Sequence, residues 1–182
     1  MDDASLADHV PEASPYRFRP LGSDDLALLA SWRAAPHVVR WWGPADGPEE
    51  LDEPGVAKWI VELGGRPFAF AQDYDPHAWE GHHFAHLLPG SRGIDQFIGE
   101  ADVLGQGHGS AFVRQHVGRL FAAGAPAVGT DPHPDNARAR RAYEKAGFQM
   151  VGGPLMTPWG EVVLMECWRD NGQRTREAVP RS

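Results

Sequence analysis

The sequence has little cysteine, little positive charge and no long apolar run. A single cysteine, Cys167, cannot form an intrachain disulfide, and cysteine-rich zinc sites are excluded with it. No segment approaches the roughly 20 apolar residues of a membrane-spanning helix, and Met1–Ser14 lacks the apolar core of a secretory signal. Lys and Arg number 17 against 25 Asp and Glu, and the formal charge of −8 disfavours nucleic acid and anionic membranes as partners. We expect a cytoplasmic protein without either partner.

The composition is that of a folded domain. Hydrophobic residues make up 42% of the 182 residues and aromatic residues 10%, which is enough apolar side chain for a sizeable core. A chain of this length fits the usual size of one domain. The first 15 residues and residues 170–182 are polar and lack periodicity. We therefore expect one domain over 16–169, with a flexible tail at each end.

Strand and helix patterns alternate along the chain, which indicates an α/β or α+β sheet covered by helices. A first helix is predicted after Ser23, which is in position to cap it, with Leu26, Leu29 and Ala30 on its inner face. Residues 75–90 are predicted to be an irregular insert, and further helices to follow the glycines at 105–109 and to span Asp135–Ala146. Strands are predicted at Tyr16–Leu21, Arg66–Tyr74, Ile94–Gly99, Ala127–Thr130, Gln149–Gly152 and Glu161–Trp168.

A further helix is predicted over residues 54–63. Pro54 is typical of a first helical position, and the spacing of Val56, Trp59, Ile60 and Leu63 matches one face of a helix. The glycine pair at 64–65 would end it.

A glycine-rich turn before a helix is the most informative segment. Glycines let backbone N–H groups approach an anion, and a helix N-terminus adds a positive partial charge, so the segment can bind a pyrophosphate. No Lys-Ser/Thr pair follows, so it is not a Walker loop, and the third glycine of a dinucleotide fingerprint is missing. Taken alone, such a run also makes an ordinary tight turn. It reads Gly105-Gln106-Gly107-His108-Gly109-Ser110.

A second motif, Asn136 at the head of a helix that ends in Tyr143-Glu144-Lys145-Ala146-Gly147-Phe148, follows the first. Together the two resemble the acetyl-CoA-binding core of the GNAT acyltransferases. Four segments narrow the resemblance to aminoglycoside 6'-N-acetyltransferases of the type Ib subgroup: His37–Gly43, Arg92–Gln96, Leu104–Gly107 and Thr130–Pro132. The siderophore lysine N-acyltransferases are similar around the glycines, but typically carry His at the position of Asp95.

The resemblance implies a GNAT fold, in which a mixed central sheet is splayed at a bulge and flanked by helices. Acetyl-CoA would be the co-substrate, a small-molecule amine the acceptor, and the protein a monomer or homodimer without a metal. The residues implied in cofactor binding are Leu104, Gly105, Gln106, Gly107, His108, Gly109, Ser110 and Asn136. For Asn136, plain helix capping is the alternative.

Two residues are candidates for catalysis. The acceptor amine is mostly protonated at neutral pH, and Asp95 is our candidate to anchor the ammonium and accept its proton, although a surface carboxylate is the alternative. The departing thiolate needs a proton, and Tyr143 resembles the acid of the family, with a packed core position as the alternative. A backbone N–H at the bulge would stabilise the oxyanion. Cys167 lies away from the motifs, so we expect direct transfer rather than an acetyl-enzyme.

The implied acceptor residues are Trp41, Trp42, Glu80, Asp95 and Asp131. Two core tryptophans and an ordinary Asp-Pro turn are alternatives. The chain departs from the acid-rich run of the aminoglycoside enzymes at residues 79–86, where it has one acid and three histidines; His82, His83 and His86 are interpreted as solvated loop residues without a metal. Other acceptors, such as a lysine-like amine or a protein N-terminus, and a non-catalytic acetyl-CoA sensor stay open.

Overall fold

A computed structural model describes residues 15–44, 51 and 53–169. The two predicted tails, 1–15 and 170–182, lie outside the described residues except for residue 15 itself, and so does most of the polar stretch at 45–52. Within the described part, no helix is long and apolar enough to cross a bilayer.

The described residues form a seven-stranded mixed sheet flanked by helices, which confirms the predicted fold class. The strand order is β1-β2-β3-β4-β5-β7-β6, and all neighbours are antiparallel except β4 and β5. The strands are β1 Tyr16–Pro20, β2 Val56–Leu63, β3 Arg66–Tyr74, β4 Arg92–Ile98, β5 Ala127–Thr130, β6 Gln149–Thr157 and β7 Gly160–Trp168. The helices are α1 Leu26–Arg33, α2 Pro36–Trp42, α3 His108–Ala122 and α4 Ala137–Ala146.

The sheet opens between its two parallel strands. β4 and β5 are paired only at Arg92 with Val128 and at Gly93 with Gly129. β4 continues to Ile98, in unbroken register with β3. The opening therefore comes from the divergence of β4 and β5 beyond Gly93, and it needs no bulge in the pairing of β3 with β4. The divergence leaves room for a ligand in the middle of the sheet.

The helix predicted over residues 54–63 is wrong, because Val56–Leu63 forms β2. This strand lies between β1 and β3, and the consecutive residues Ile60 and Val61 are both fully buried. A strand covered on both faces shows no alternation of apolar and polar residues, and its spacing can match a helix by coincidence. Gly64 and Gly65 do not end a helix; both have positive φ, +59° and +83°, and form a two-residue hairpin turn.

The start of the molecule differs from the prediction in detail. Ser23 does not cap α1; it begins a 3-10 turn, Ser23–Asp25, with Gly22 at the cap position. Ala30 is exposed, whereas Leu29 is buried as predicted. The sequence prediction missed α2, which begins at Pro36, a residue preorganised for the first helical turn.

Helices cover both faces of the sheet. α1 and α2 pack on one face around Phe70 and Phe97. α3 and α4 pack on the other face around Phe68 and Phe112. These two cores hold β3 and β4 between them, so that the side chains of β4 on each face have fixed surroundings.

The insert at residues 75–90 is irregular, as predicted, apart from the 3-10 turn Pro76–Ala78. Its anchor is Phe84, which is fully buried. Gly129 of β5 leaves the space that the ring needs, because a Cβ there would lie 2.7 Å from it. Two further bonds hold the insert: His77 Nε2 donates to the Leu87 carbonyl at 3.1 Å, and His86 Nε2 lies 2.6 Å from the buried Glu166 carboxylate.

Candidate active site

Two clefts meet at the opening between β4 and β5. The first, the insert cleft, has a volume of about 680 Å³ and includes Asp95, Asp131 and His83 in its wall. The second, the helix groove, has about 720 Å³ and lies against α2, α3 and α4. Six residues line both: Trp41, Trp42, Gln96, Asn136, Ala139 and Tyr143. Ligands in the two clefts would therefore meet beside Tyr143.

The N-terminus of α3 borders the helix groove. Gly105 and Gly107 have φ of +82° and +89°, and Gly107 is the cap residue in left-handed conformation. The first N–H groups of a helix have no partner within it, so those of α3 are available to an anion. Leu104 and Gly109 line the groove directly. This geometry fits the phosphates of coenzyme A.

The side chains of the same segment are engaged within the protein. Gln106 donates to the Asp102 carbonyl, and Ser110 donates to the Gly107 carbonyl at 3.1 Å. His108 Nδ1 lies 2.9 Å from the hydroxyl of Tyr16. These residues can therefore contribute to cofactor binding mainly through their backbone.

Asn136 caps α4, and its Oδ1 accepts a hydrogen bond from the Ala139 N–H at 3.1 Å. The capping interpretation thus holds, and the residue also lines both clefts. Arg40 and Arg138 line the helix groove as well. Their guanidinium groups supply positive charge near a bound phosphate.

Tyr143 projects from α4 to the junction of the two clefts. Its hydroxyl accepts a hydrogen bond from Gln96 Nε2 at 2.6 Å. Burial raises the pKa of Tyr143, against the opposing effect of the hydrogen bonds to Thr130 and Gln96. The hydroxyl therefore keeps its proton at neutral pH, and Gln96 donates to its oxygen.

Asp95 lies on β4 directly opposite Gln72 of β3, and Gln72 Nε2 donates to its carboxylate at 2.9 Å. Burial and the negative charge of Asp131 raise the pKa of Asp95 to about 7. A carboxylate with a pKa near the working pH is a good proton acceptor. The site therefore contains a base on one side of the junction and a hydroxyl donor on the other.

The backbone of β4 provides a further donor. The Gly99 N–H donates to the Phe68 carbonyl of β3 at 2.9 Å, and in an antiparallel pair the direction of the backbone groups alternates from residue to residue. The N–H groups of Gln96 and Ile98 therefore point away from β3, toward the opening. The Ile98 carbonyl confirms this direction, since it accepts a hydrogen bond from His37 Nε2 of α2 at 3.0 Å.

The carboxylates of the insert cleft are only partly those predicted. Asp131 follows β5 and lines the cleft with Asp95. Glu80 is exposed and lines neither cleft, because it lies at the outer turn of the insert. Glu53 and Glu161 line the cleft instead. Glu161 lies on β7, and Glu53 precedes β2 in a segment that contains no sequence motif.

The prediction of solvated histidines is wrong for His82 and His83. His82 is buried, and the two imidazole rings stack with centroids 4.2 Å apart. Burial lowers the pKa of His82 to about 4, and His83 acts in the same direction. Trp159 packs against both rings, so the insert forms an aromatic wall of the cleft. Among residues 15–44, 51 and 53–169, no cluster of three His, Cys, Asp or Glu side chains could hold a metal ion.

Tyr74 is a cleft residue that sequence reasoning missed. Its ring lies across Gly93, where a Cβ would stand 2.2 Å from the ring. The glycine before Ile94 and Asp95 is the signal that could have indicated a ring packed on this strand. Gln72 and Gln96 were missed as well, since only the pairing of β3 with β4 and the approach of α4 reveal their bonds.

Comparison with known proteins identifies the family. Residues 22–153 match the acetyltransferase (GNAT) domain. The chain is 37% identical over 175 residues to aminoglycoside N(6')-acetyltransferase type 1 of Klebsiella pneumoniae, covering 88% of this chain and 87% of that protein. A solved structure of AAC(6')-Ib with ribostamycin and coenzyme A matches with a TM-score of 0.77 and 35% identity, over 90% of this chain and 99% of that one. Another, with coenzyme A and kanamycin, matches with a TM-score of 0.75 and 36% identity, over 85% and 95%.

The chain belongs to the acetyltransferase (GNAT) domain family. The relatives named above are aminoglycoside acetyltransferases, and the match covers most of the length of each. The predictions of the GNAT fold and of an acetyl-CoA-dependent N-acetyltransferase are confirmed.

Proposed function

We propose that the protein transfers the acetyl group of acetyl-CoA directly to the 6'-amine of an aminoglycoside and so confers resistance to the antibiotic. The observation that carries the proposal is the junction of two clefts with Asp95 on one side and Tyr143 on the other. The names of the Klebsiella pneumoniae relative and of the AAC(6')-Ib complexes support the choice of acceptor.

The helix groove would hold acetyl-CoA. Bound there, the cofactor supplies an acetyl thioester that is open to attack by an amine. The first N–H groups of α3 bind the pyrophosphate, together with the backbone of the glycine segment. Leu104 and Gly109 contact the pantetheine arm, and Asn136 lies beside it where the groove reaches the junction.

Asp95 prepares the acceptor. Its carboxylate holds the 6'-ammonium group and removes a proton, which exposes the lone pair of the amine. Gln72 fixes the direction of the carboxylate through the 2.9 Å hydrogen bond. The raised pKa of Asp95 makes proton acceptance more favourable than it would be for a fully solvated aspartate.

Tyr143 and β4 act on the other side of the reaction. The backbone N–H groups of Gln96 and Ile98, directed into the opening, stabilise negative charge on the carbonyl oxygen. Tyr143 donates its hydroxyl proton to the leaving thiolate. Cys167 lies on β7 opposite Val128 and lines neither cleft, which supports direct transfer without an acyl-enzyme.

The acceptor occupies the insert cleft. Trp41 and Trp42 line the junction, where Trp42 also packs edge-on against Phe97 with centroids 4.9 Å apart. Asp131 binds a second ammonium group of the acceptor. Glu80 stays a predicted contact that its exposed position does not support.

The test is the release of coenzyme A thiol from acetyl-CoA by the purified protein. Kanamycin and tobramycin, which carry a 6'-amine, are compared with paromomycin, which carries a hydroxyl there, and with lysine and hydroxylysine. Saturable turnover of kanamycin and tobramycin alone is expected. Turnover of lysine or hydroxylysine instead would support an acetyltransferase but refute the aminoglycoside as its acceptor. Binding of acetyl-CoA without turnover of any acceptor would favour the alternative function, a non-catalytic acetyl-CoA sensor.

A tyrosine variant tests the assignment of the acid. Tyr143→Phe is expected to lower kcat while leaving the affinity for acetyl-CoA within about twofold, because only a hydroxyl is removed. Tyr16→Phe removes a hydroxyl that contacts His108 outside the junction, and serves as the control. Equal kcat values for the two variants would refute the assigned role.

We further propose a cytoplasmic enzyme that acts as a monomer or homodimer and needs neither nucleic acid nor a membrane. The formal charge of −8 supports this proposal. Light scattering during size-exclusion chromatography, with and without kanamycin, measures the oligomeric state. Fractionation of cells that express the untagged chain measures its location.

A further inference from the structure

The acceptor side of the site contains an imidazole next to a carboxylate. His83 Nε2 lies 3.0 Å from Asp131 Oδ2, and the two side chains are only 9% and 16% exposed. The contact does not meet the geometry of a hydrogen bond, and it is an ion pair when the imidazole is protonated. The imidazole of His83 is therefore already beside Asp131 when a ligand binds in the cleft.

The position of His83 is fixed by the rings around it. It stacks on His82, lies 4.6 Å from the ring of Phe84, and meets Trp159 edge-on at 5.7 Å. Phe84 is itself anchored against Gly129. The imidazole cannot turn away from Asp131 without breaking this packing. The other titratable groups that line the same cleft are Glu53, Tyr74, His82, Asp95, Asp131, His133, Tyr143 and Glu161.

Four carboxylates line the insert cleft, and two of them already have basic partners. Glu53 Oε2 lies 3.1 Å from the buried amine of Lys58, and Asp131 has His83. Among the described residues, Asp95 and Glu161 have no basic partner. An acceptor with several ammonium groups gains most from carboxylates that are free to pair with it.

We propose that His83 determines acceptor specificity by competing with the acceptor for Asp131. When protonated, the imidazole reduces the net negative charge at this part of the cleft, so the enzyme discriminates less in favour of polyammonium acceptors than the carboxylates alone would allow. His83 acts through Asp131 and is a specificity residue, not a catalytic one. The inference concerns the acceptor cleft of the proposed function and rests on it.

The test compares two acceptors that share the reacting amine. Kanamycin carries several amines, and methyl 6-amino-6-deoxyglucoside carries one. His83→Phe keeps an aromatic ring in the stack and removes its basic nitrogens. It is expected to lower the KM for kanamycin about five- to tenfold, with kcat and the KM for the one-amine acceptor within about twofold. An equal change of both KM values, or no change, overturns the proposal.

A further measurement separates competition for Asp131 from a change in packing. In the background of Asp131→Asn, His83→Phe is expected to leave the KM for kanamycin unchanged, because the shared carboxylate is gone. A persistent effect in the double variant would overturn the proposal.

Controls keep the result independent of folding and of the proposed function. Ala85→Ser alters an exposed residue of the same insert that lines neither cleft, and should leave both KM values unchanged. If His83→Phe does not fold, His83→Asn replaces it with the same expected direction. If wild type turns over neither acceptor, the proposed function fails. Calorimetric titration with kanamycin then tests the inference, and equal affinities of wild type and variant would overturn it.

Discussion

Asp73 and Asp95 lie on adjacent strands and face opposite sides of the sheet. Asp73 is on β3, opposite Ile94, and reaches His116 of α3. Asp95 is on β4, opposite Gln72, and faces the insert cleft. Both carboxyl groups are removed from bulk water, yet their pKa values shift in opposite directions.

The partners of Asp73 explain its lowered pKa. Burial acts to raise the pKa of Asp73, but bonds from His116 and Trp59 and the contact with Arg92 outweigh it. Trp59 Nε1 donates at 2.8 Å, and Arg92 donates through Nε at 3.0 Å and Nη2 at 2.7 Å. The negative charge is stabilised, and the group joins β2, β3, β4 and α3.

Asp95 has one neutral donor, Gln72, and a second carboxylate, Asp131, nearby. Burial and repulsion therefore dominate, and the pKa rises. The comparison teaches that burial alone does not make an aspartate reactive. The number and charge of its partners decide whether it holds the fold together or exchanges protons.

Asp95→Asn should give the largest effect. An amide cannot accept the proton of the ammonium group, so kcat is expected to fall about 100- to 1000-fold with the preferred amine. Binding of acetyl-CoA, measured by calorimetry, should stay within about twofold of wild type. A variant that keeps a tenth or more of the activity would show that another group is the base.

Asp73→Asn should affect stability instead of chemistry. It leaves the guanidinium of Arg92 without its charged partner, and we expect a loss of about 2–4 kcal/mol in the free energy of unfolding at pH 7. Urea denaturation measures this loss. Asp24→Asn, which alters an exposed carboxylate before α1, is the control and should change stability little.

The pH dependence of stability should separate the two aspartates further. Because the folded pKa of Asp95 is raised to about 7, the native state loses stability as pH rises from about 4, where the unfolded group ionises, to about 7, so Asp95→Asn should be more stable than wild type at about pH 8. This gain should vanish as pH falls toward about 4. The loss in Asp73→Asn should instead be full above about pH 4 and shrink below it, because the folded pKa is lowered. Melting temperatures across this range would contradict the comparison if both differences had the same sign.

Gln72→Leu should give the smallest effect. The hydrogen bond from Gln72 lowers the pKa of Asp95, so its removal raises that pKa further. The acidic limb of the kcat/KM profile, expected to rise with pH and to have its midpoint at about pH 7 in wild type, should move upward by roughly half to one pH unit. An unchanged or lowered midpoint would show that the limb reports a different group.

The parts of the fold with local signals were predictable from the sequence. Asn136 and Gly147 define both ends of α4, and the glycines before α3 place its first turn. β5 was predicted at its observed bounds, Ala127–Thr130. In each case the signal depends on backbone geometry that few other residues can adopt.

Other parts depend on tertiary contacts that no local pattern records. β2 is buried on both faces, so its residues follow a helical spacing as well as a strand. His82 and His83 look like surface residues by composition, but Trp159, some 76 residues away in sequence, packs against them. Gln72 and Gln96 became site residues only once the strands were in register. The site was therefore predictable where a motif exists and unpredictable where strand pairing creates it.

The packing of Phe84 against Gly129 affects which residues of the insert can be substituted without loss of the fold. The residues that fasten the insert to the sheet, Phe84 and His86, are different from those that face the acceptor, Trp79, His82 and His83. Substitutions at Trp79, His82 or His83 can therefore alter acceptor specificity, while the contacts of Phe84 and His86 with the sheet stay intact. This separation allows the acceptor specificity of the enzyme to change by substitution without loss of its fold.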